Sequence, residues 1–165
     1  MSQARQPKGL EELLQRGFRF ALSLTGDRQE AEDLLQDAWV AMLRSRSPRH
    51  LGYLFQVIRN RFLDLQRRRG LVSFEPIEAS EDELGGLGFL DATQSRVDLA
   101  TVEQALRYLR PQEREALFLA AVEGYTVKEI AELTERPLGT VSSLVQRARK
   151  KIQSRFRGDH ERALP

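Results

Sequence analysis

Cysteine is absent from this chain of 165 residues, and histidine occurs only twice. The absence of cysteine excludes disulfides and thiolate metal sites. His50 and His160 have no neighbouring ligands at metal-binding spacing, so we predict no metal site and no cofactor. No apolar run is long enough to cross a membrane, and the N-terminal sequence MSQARQPKG lacks the apolar core of a signal peptide. We therefore expect a cytoplasmic protein without membrane insertion.

Sequence signals of catalysis are also scarce. The stretch GGLGF at 85–89 lacks the Lys-Ser/Thr that follows a phosphate-binding loop, and it does not lie between a strand and a helix. Carboxylate pairs such as Glu32 and Asp33 fall on a helix surface, and no nucleophile is paired with a base. We therefore predict no catalytic residues and do not expect an enzyme.

The charge balance limits how the chain can bind a polyanion. With 26 basic and 24 acidic residues, the net charge is only +2. A nucleic-acid-binding role must therefore depend on local basic patches. The hydrophobic fraction of 41% and the charged fraction of 30% are normal for a soluble helical protein.

Helical periodicity covers the first seventy residues. A first helix begins at Leu10 and ends at Gly26, and Asp27 with Glu30 forms the capping box of a second. Ser47 and Pro48 are expected to open a third helix, which ends in a run of three arginines. The side chains predicted to face inward are Leu13, Leu14, Phe18, Ala21, Leu22, Ala31, Leu34, Leu35, Ala38, Met42, Leu43, Leu51, Leu54, Ile58, Phe62 and Leu65.

The segment after the arginines differs from its surroundings. Residues 71–95 contain six acidic residues, three glycines and no basic residue. This composition predicts an extended, mobile acidic linker. Helical periodicity resumes at Val97, and Pro111 opens a further helix that ends near Gly124.

Residues 124–151 have the pattern of two helices joined by a tight turn. Thr126 and Glu129 form a capping box, and Pro137 separates the helices. In the second helix the apolar residues Val141, Val145, Ala148 and Ile152 share one face. The opposite face is predicted to expose Thr140, Ser143, Arg147 and Lys150. A polar start and a basic end suit a DNA-reading helix, but an ordinary helical hairpin with a solvated basic face has the same periodicity.

The predicted fold class is all-α: two small helical domains joined by a flexible acidic linker, the C-terminal one containing a helix-turn-helix. The expected N-terminal domain spans residues 1–70 and the linker residues 71–96. The C-terminal domain is expected at residues 97–158, followed by a tail at residues 159–165.

Two segments carry a family resemblance. The first is FRFALSLTGDRQEAEDLLQDAWVAMLR with YLFQVIRNRFLDLQRRR, and the second is ALRYLRPQEREALFLAAVEGYTVKEIAELTERPLGTVSSLVQRARKKI. Together they resemble the two conserved domains of bacterial RNA polymerase sigma factors of the extracytoplasmic-function group in the sigma-70 family. The resemblance implies a protein that binds core RNA polymerase, directs it to promoter DNA, helps to melt the promoter and catalyses nothing itself.

The resemblance also assigns roles to residues. The polymerase-binding residues, against the clamp helices of the largest subunit, would be Asp33, Gln36, Asp37 and Val40. The C-terminal domain would meet the flap of the second subunit. The minus-ten element would be contacted by Arg46, Arg49, His50, Tyr53, Gln56, Arg59, Asn60 and Arg67. The upstream (minus-thirty-five) element would be contacted by Thr140, Ser142, Ser143, Gln146, Arg147 and Lys150. An anti-sigma factor is an expected further partner, and the acidic linker would be drawn to the cationic RNA exit path.

Several positions depart from the family pattern. Tyr53 stands where the family usually has Trp, and it can either stack on an unpaired base or pack in the core. The loop from Ser45 to Leu51, which would capture a flipped base, is several residues shorter than usual. Glu135 stands where glycine is usual, because that turn favours positive φ. Ser142 and Leu144 stand where basic residues are frequent, so upstream binding is expected to be weaker or differently specific.

Two other functions fit parts of the pattern. A stand-alone helix-turn-helix repressor would dimerise and bind duplex DNA tightly without a polymerase. A regulator that kept the sigma fold but lost promoter binding would explain the less basic recognition helix. The acidic face of the second helix and the arginine-tipped third helix favour the sigma factor.

Overall fold

The computed structural model describes residues 7–45, 50–71 and 106–162, with side chains as far as Arg155. Within these ranges the chain forms six helices and no strand, which confirms the predicted all-α class. The helices are α1 (Leu10–Thr25), α2 (Arg28–Arg44), α3 (Leu51–Arg68), α4 (Pro111–Ala121), α5 (Val127–Thr134) and α6 (Leu138–Arg162). The chain divides into two compact units: the first contains α1, α2 and α3, and the second contains α4 and α6. Most of the predicted linker lies outside the described residues.

Local signals fix the ends of the first three helices. Gly26, with φ of 69°, ends α1, as predicted. Half of the predicted capping box of α2 is made: the Asp27 carboxylate accepts the Glu30 N–H at 2.8 Å, whereas the Asp27 N–H donates to Thr25 Oγ1 at 3.3 Å. The predicted start of α3 at Ser47 and Pro48 is wrong, because α3 begins at Leu51. The His50 imidazole takes the capping role there: its Nδ1 accepts the Tyr53 N–H at 3.1 Å. Ser47 and Pro48 themselves lie outside the described residues.

The three N-terminal helices pack against one another around aromatic side chains. The rings of Phe20 and Phe55 lie 4.5 Å apart between centroids, and both side chains are fully buried. Some of the side chains predicted to lie in the core are not fully buried. In α1 the predicted Leu13 and Ala21 are buried, but Phe20 and Leu24 are buried with them, whereas Phe18 and Leu22 are only half-buried. Leu43 of α2 is 49% exposed. The sequence offers apolar side chains over more than one helix face, and only packing decides which of them become buried.

Gly17 lets α1 approach its neighbours closely. A Cβ built at this position would lie 2.7 Å from Leu54 Cδ2 and 3.0 Å from Leu35 Cδ1. Leu54 is fully buried, so its side chain has little room to move away. The absence of a side chain at Gly17 is therefore a requirement of the packing.

The second unit has a smaller core. Buried Leu109, Leu117 and Ala148 form its centre, and Leu106, Ala121 and Ile152 pack against them. Pro111 occupies the first turn of α4, as predicted, and the Glu113 carboxylate accepts the Arg110 N–H at 2.9 Å. These contacts bring α4 against α6.

The predicted helix-turn-helix is present in α5 and α6. Both halves of the capping box are made: Thr126 Oγ1 accepts the Glu129 N–H at 3.2 Å, and Glu129 Oε2 accepts the Thr126 N–H at 2.8 Å. Pro137 immediately precedes α6. Glu135 has φ of 54°, so the predicted left-handed turn position is confirmed. In α6 Val141, Val145 and Ala148 are buried as predicted.

Candidate protein- and nucleic-acid-binding surfaces

One side of α2 is an exposed surface with mixed character. The predicted set of Asp33, Gln36, Asp37 and Val40 is exposed along its whole length, because spacing of three and four residues keeps these positions on one face. Leu43 continues the same face, and Val40 and Leu43 are 43% and 49% exposed. We call these five residues the α2 outer face. It combines two carboxylates with two exposed apolar side chains, the composition of a protein-binding surface rather than a DNA-binding one.

The basic end of α3 is partly committed to ion pairs. Arg69 contacts Glu30 at the start of α2 at 3.0 Å, and Arg67 contacts Asp64 at 3.0 Å. These pairs are half-exposed or more, so they are weak and compatible with exchange for a phosphate. Arg68 and Arg61 are exposed on the same helix.

Tyr53 lies at the N-terminal end of α3 in a small polar cluster. Its hydroxyl lies 3.3 Å from Ser45 Oγ, and its ring meets the His50 ring edge-on at 6.2 Å between centroids. The Ser45 hydroxyl in turn donates to the Met42 carbonyl at 3.1 Å. Tyr53 is half-buried, so its ring is neither a fully packed core residue nor fully open to solvent.

The other predicted minus-ten residues differ in exposure. Asn60 and Arg67 are exposed and Gln56 is half-buried, whereas Arg46 and Arg49 lie outside the described residues. The expected exposure of Arg59 is wrong, because its side chain is only 9% exposed. Arg59 follows Phe55 by four residues and Leu51 by eight, so helical spacing places it on the buried side of α3.

The recognition helix exposes less of its predicted face than expected. Lys150 is exposed, and Thr140, Ser142, Gln146 and Arg147 are half-buried. The predicted exposure of Ser143 is wrong, because this residue is only 6% exposed. Leu144, at a position where the family often has a basic residue, is buried with the core side of α6.

Two long-range ion pairs of the second unit are absent from the sequence-based prediction. Lys151 Nζ donates to both carboxylate oxygens of Glu113 at 2.7 and 2.8 Å, and Arg136 donates to Glu115 Oε2 at 2.6 Å. These pairs join residues 38 and 21 positions apart, so no local signal in the sequence identifies them.

Other charged groups of the second unit are also held in place. The Arg155 guanidinium lies 4.2 Å from the centroid of the Tyr108 ring and donates to its hydroxyl at 2.7 Å. Arg114, between the two paired glutamates in sequence, loses hydration on burial, and this lowers the pKa of its guanidinium. An arginine stays charged at neutral pH despite such a shift. In the described part of the chain no group of side chains is arranged to hold a metal ion, and no helix is long and apolar enough to span a bilayer.

The fold and these surfaces define a two-unit helical transcription factor with a helix-turn-helix. Residues 10–71 match Sigma-70 region 2, and residues 99–152 match Sigma-70, region 4. The chain is 31% identical over 147 residues to the ECF RNA polymerase sigma factor SigM of Bacillus subtilis, with 84% of this chain and 87% of SigM covered. It is also 31% identical over 145 residues to the ECF RNA polymerase sigma factor SigE of Mycolicibacterium smegmatis, of which it covers 56%.

The fold comparison agrees with the sequence comparison. The sigma factor RpoE of Bartonella quintana, solved in complex with the anti-sigma factor NepR, matches with a TM-score of 0.64 and 26% identity over 88% of this chain and 92% of RpoE. The chain therefore belongs to the ECF sigma factors of the sigma-70 family. It is an alternative sigma factor that directs transcription initiation, and none of these matches supports a stand-alone repressor.

Proposed function

We propose that the two helical domains expected from the sequence, residues 1–70 and 97–158, have separate binding functions in this sigma factor. The first binds core RNA polymerase and the minus-ten element, and the second binds the upstream element. The linker at residues 71–96 joins them within the transcription complex. The protein acts in the cytoplasm and catalyses no reaction itself. The observation that carries this proposal is the α2 outer face, which is exposed throughout and unsuited to DNA.

The α2 outer face is the proposed docking surface for the clamp helices of the largest polymerase subunit. Asp33 and Asp37 offer negative charge to basic side chains of the partner, and Asp33 already accepts a hydrogen bond from Gln29 at 3.2 Å. Val40 and Leu43 supply apolar area that becomes buried on docking. Leu43 belongs to this surface because the structure exposes it, although the sequence pattern placed it in the core.

The exposed side of α3 is the proposed site for an unstacked promoter base. Tyr53 supplies an aromatic platform, and Gln56 and Asn60, three and seven residues later, supply polar edges on the same side. Stacking on an aromatic side chain is worth about 1–3 kcal/mol per base, which offsets part of the cost of unstacking that base. The hydrogen bond from the Tyr53 hydroxyl to Ser45 and the edge-on contact with the His50 ring orient the Tyr53 ring before DNA arrives.

Helix α6 is the proposed reader of the upstream element. Thr140, Ser142 and Gln146 are placed to meet base edges, and Arg147 and Lys150 to meet phosphates. The buried position of Ser143 removes it from direct base contact in this conformation. An anti-sigma factor is the proposed inhibitory partner, since the similar RpoE is solved in a complex with one.

Reconstitution with core polymerase tests the function directly. The full-length protein is added to core enzyme, and run-off transcription is measured on fragments of the source genome. Discrete transcripts that require the protein are expected, with start sites that share a common upstream element. Double charge reversal of Asp33 and Asp37 should abolish them while the protein stays folded by circular dichroism. Unchanged transcription with that variant would remove the α2 outer face from the proposal.

A further inference from the structure

Two buried carboxylates of α4 hold the helix-turn-helix at two separate points. Glu113 and Glu115 are each 3% exposed. Glu113 contacts Lys151 in the C-terminal half of α6, whereas Glu115 contacts Arg136 in the turn before α6. Since successive helical residues are rotated by about 100°, these two glutamates leave α4 about 200° apart. The recognition helix is thus tied to α4 from two directions.

The orientation of Glu113 is itself fixed. Its Oε2 accepts the Arg110 N–H at 2.9 Å, and the same carboxylate takes both hydrogen bonds of Lys151. The Glu115–Arg136 pair is largely buried, whereas Lys151 is 42% exposed and its pair with Glu113 is only partly buried. Both kinds of pair add little net stability, because lost hydration or solvent screening offsets most of the attraction. Their effect is greatest on geometry, since charge-assisted hydrogen bonds are short and directional. The pairs therefore determine where α6 lies on α4 more than they determine whether the domain folds.

We propose that Glu113 and Glu115 are positioning residues for promoter recognition, acting through Lys151 and Arg136. This inference rests on the proposed function of α6 as the DNA-reading helix. It assigns different roles to two adjacent lysines. Both lysines are exposed, but only Lys151 is paired with a buried carboxylate, that of Glu113. In this proposal Lys150 contacts phosphate, whereas Lys151 ties α6 to α4 and contributes no phosphate contact.

Electrostatic repulsion alone predicts that removing the charge of either glutamate should tighten DNA binding, the opposite of what we expect from a positioning residue. A negative charge close to DNA repels phosphate, so its removal should tighten binding. Glu132 is an exposed glutamate on α5 and provides that reference. If Glu115 positions the turn, Glu115→Gln should weaken binding by about tenfold, the size of a lost charge-assisted hydrogen bond. Glu132→Gln should leave binding unchanged or tighten it.

The test uses full-length protein with core polymerase. The probe is a duplex whose upstream element has been selected from a random pool by the wild-type holoenzyme, and affinity is measured across a salt series. Lys150→Gln should lower the salt slope by about 0.9, the value for one lost phosphate contact. Lys151→Gln should weaken binding by about tenfold at every salt concentration and leave the slope unchanged. Lys151→Arg, which keeps the ion pair, should restore binding to within about twofold.

The outcomes separate the two proposals. The positioning role is wrong if Lys151→Gln lowers the salt slope by as much as Lys150→Gln does. It is also wrong if Glu115→Gln tightens DNA binding as Glu132→Gln does. If the wild-type holoenzyme selects no upstream element, or if Lys150→Gln changes neither affinity nor salt slope, the proposed DNA-reading role of α6 is itself wrong. Hydrogen exchange of the α6 amides in each variant verifies that the helix remains folded. Rescue by Lys151→Arg excludes a general loss of structure as the cause.

Discussion

Glu135 occupies a backbone conformation that suits glycine, and replacing it with glycine should stabilise the helix-turn-helix. The residue follows the last turn of α5 with φ of 54°, and the next N–H, from Arg136, donates to the Ala131 carbonyl at 3.1 Å. This is the hydrogen bond of a Schellman motif, in which the left-handed residue is usually glycine. A side chain there costs about 1–2 kcal/mol. Glycine avoids this cost, but it loses more backbone entropy on folding, which cancels part of the gain in stability. We expect Glu135→Gly to raise the free energy of unfolding by about 0.5–1 kcal/mol.

The matched control is Glu132→Gly, three residues earlier in α5. It removes the same side chain and charge from the same end of the helix, but from a position inside it. There glycine should cost about 0.6 kcal/mol through its low helix propensity. Thermal and urea unfolding of the full chain measure both variants, with a melting shift of roughly 4 °C per kcal/mol or more for a domain of this size. If both substitutions change stability in the same direction, strain at Glu135 is not the cause.

Three further predictions follow from packing, charge and the aromatic platform. Gly17→Ala should destabilise the first unit by about 1–2 kcal/mol through its clash with Leu54, whereas Gly139→Ala, with open space around it, should be neutral or stabilising in the same unfolding assay. Asp37→Arg should weaken the complex with core polymerase in a pull-down without altering the fold; equal affinity would argue against the α2 outer face. Tyr53→Ala should lower open-complex formation roughly tenfold and Tyr53→Phe by far less, as followed by permanganate reactivity of promoter thymines; equal losses would show that the hydroxyl, not stacking, is what matters.

Features that depend on neighbouring residues could be predicted from the sequence. The caps at Asp27 and Thr126 each join residues three positions apart. Four of the five residues of the α2 outer face follow from a repeat of three and four residues on one helix, and only Leu43 is assigned to the core. Hydrogen bonds and spacing between residues close in the chain determine such features, so they do not depend on how the helices pack against one another. The left-handed position at Glu135 is predicted from the family resemblance and not from its neighbours.

Features that depend on packing could not be predicted in the same way. Phe18 and Phe20 are both aromatic and two residues apart, and only the partner Phe55 decides which of them is buried. Arg59 is of a residue type that often contacts DNA, but it lies on the buried side of α3. Lys151 belongs to a basic run in the sequence, yet its partner is 38 residues away. In each case the residue type suggests one environment and tertiary contacts impose another.

The cations of α6 have consequences for how this sigma factor finds DNA. Lys151 is paired with Glu113, so the basic run offers fewer uncompensated charges to phosphate than its composition suggests. With two phosphate contacts, affinity would fall only about tenfold between 50 and 200 mM salt, against a thousandfold or more for proteins with six contacts or more. So few contacts supply little affinity for duplex DNA. If α6 reads the upstream element as proposed, we expect that recognition to depend on the polymerase, which would hold the helix near the promoter and raise its effective concentration there.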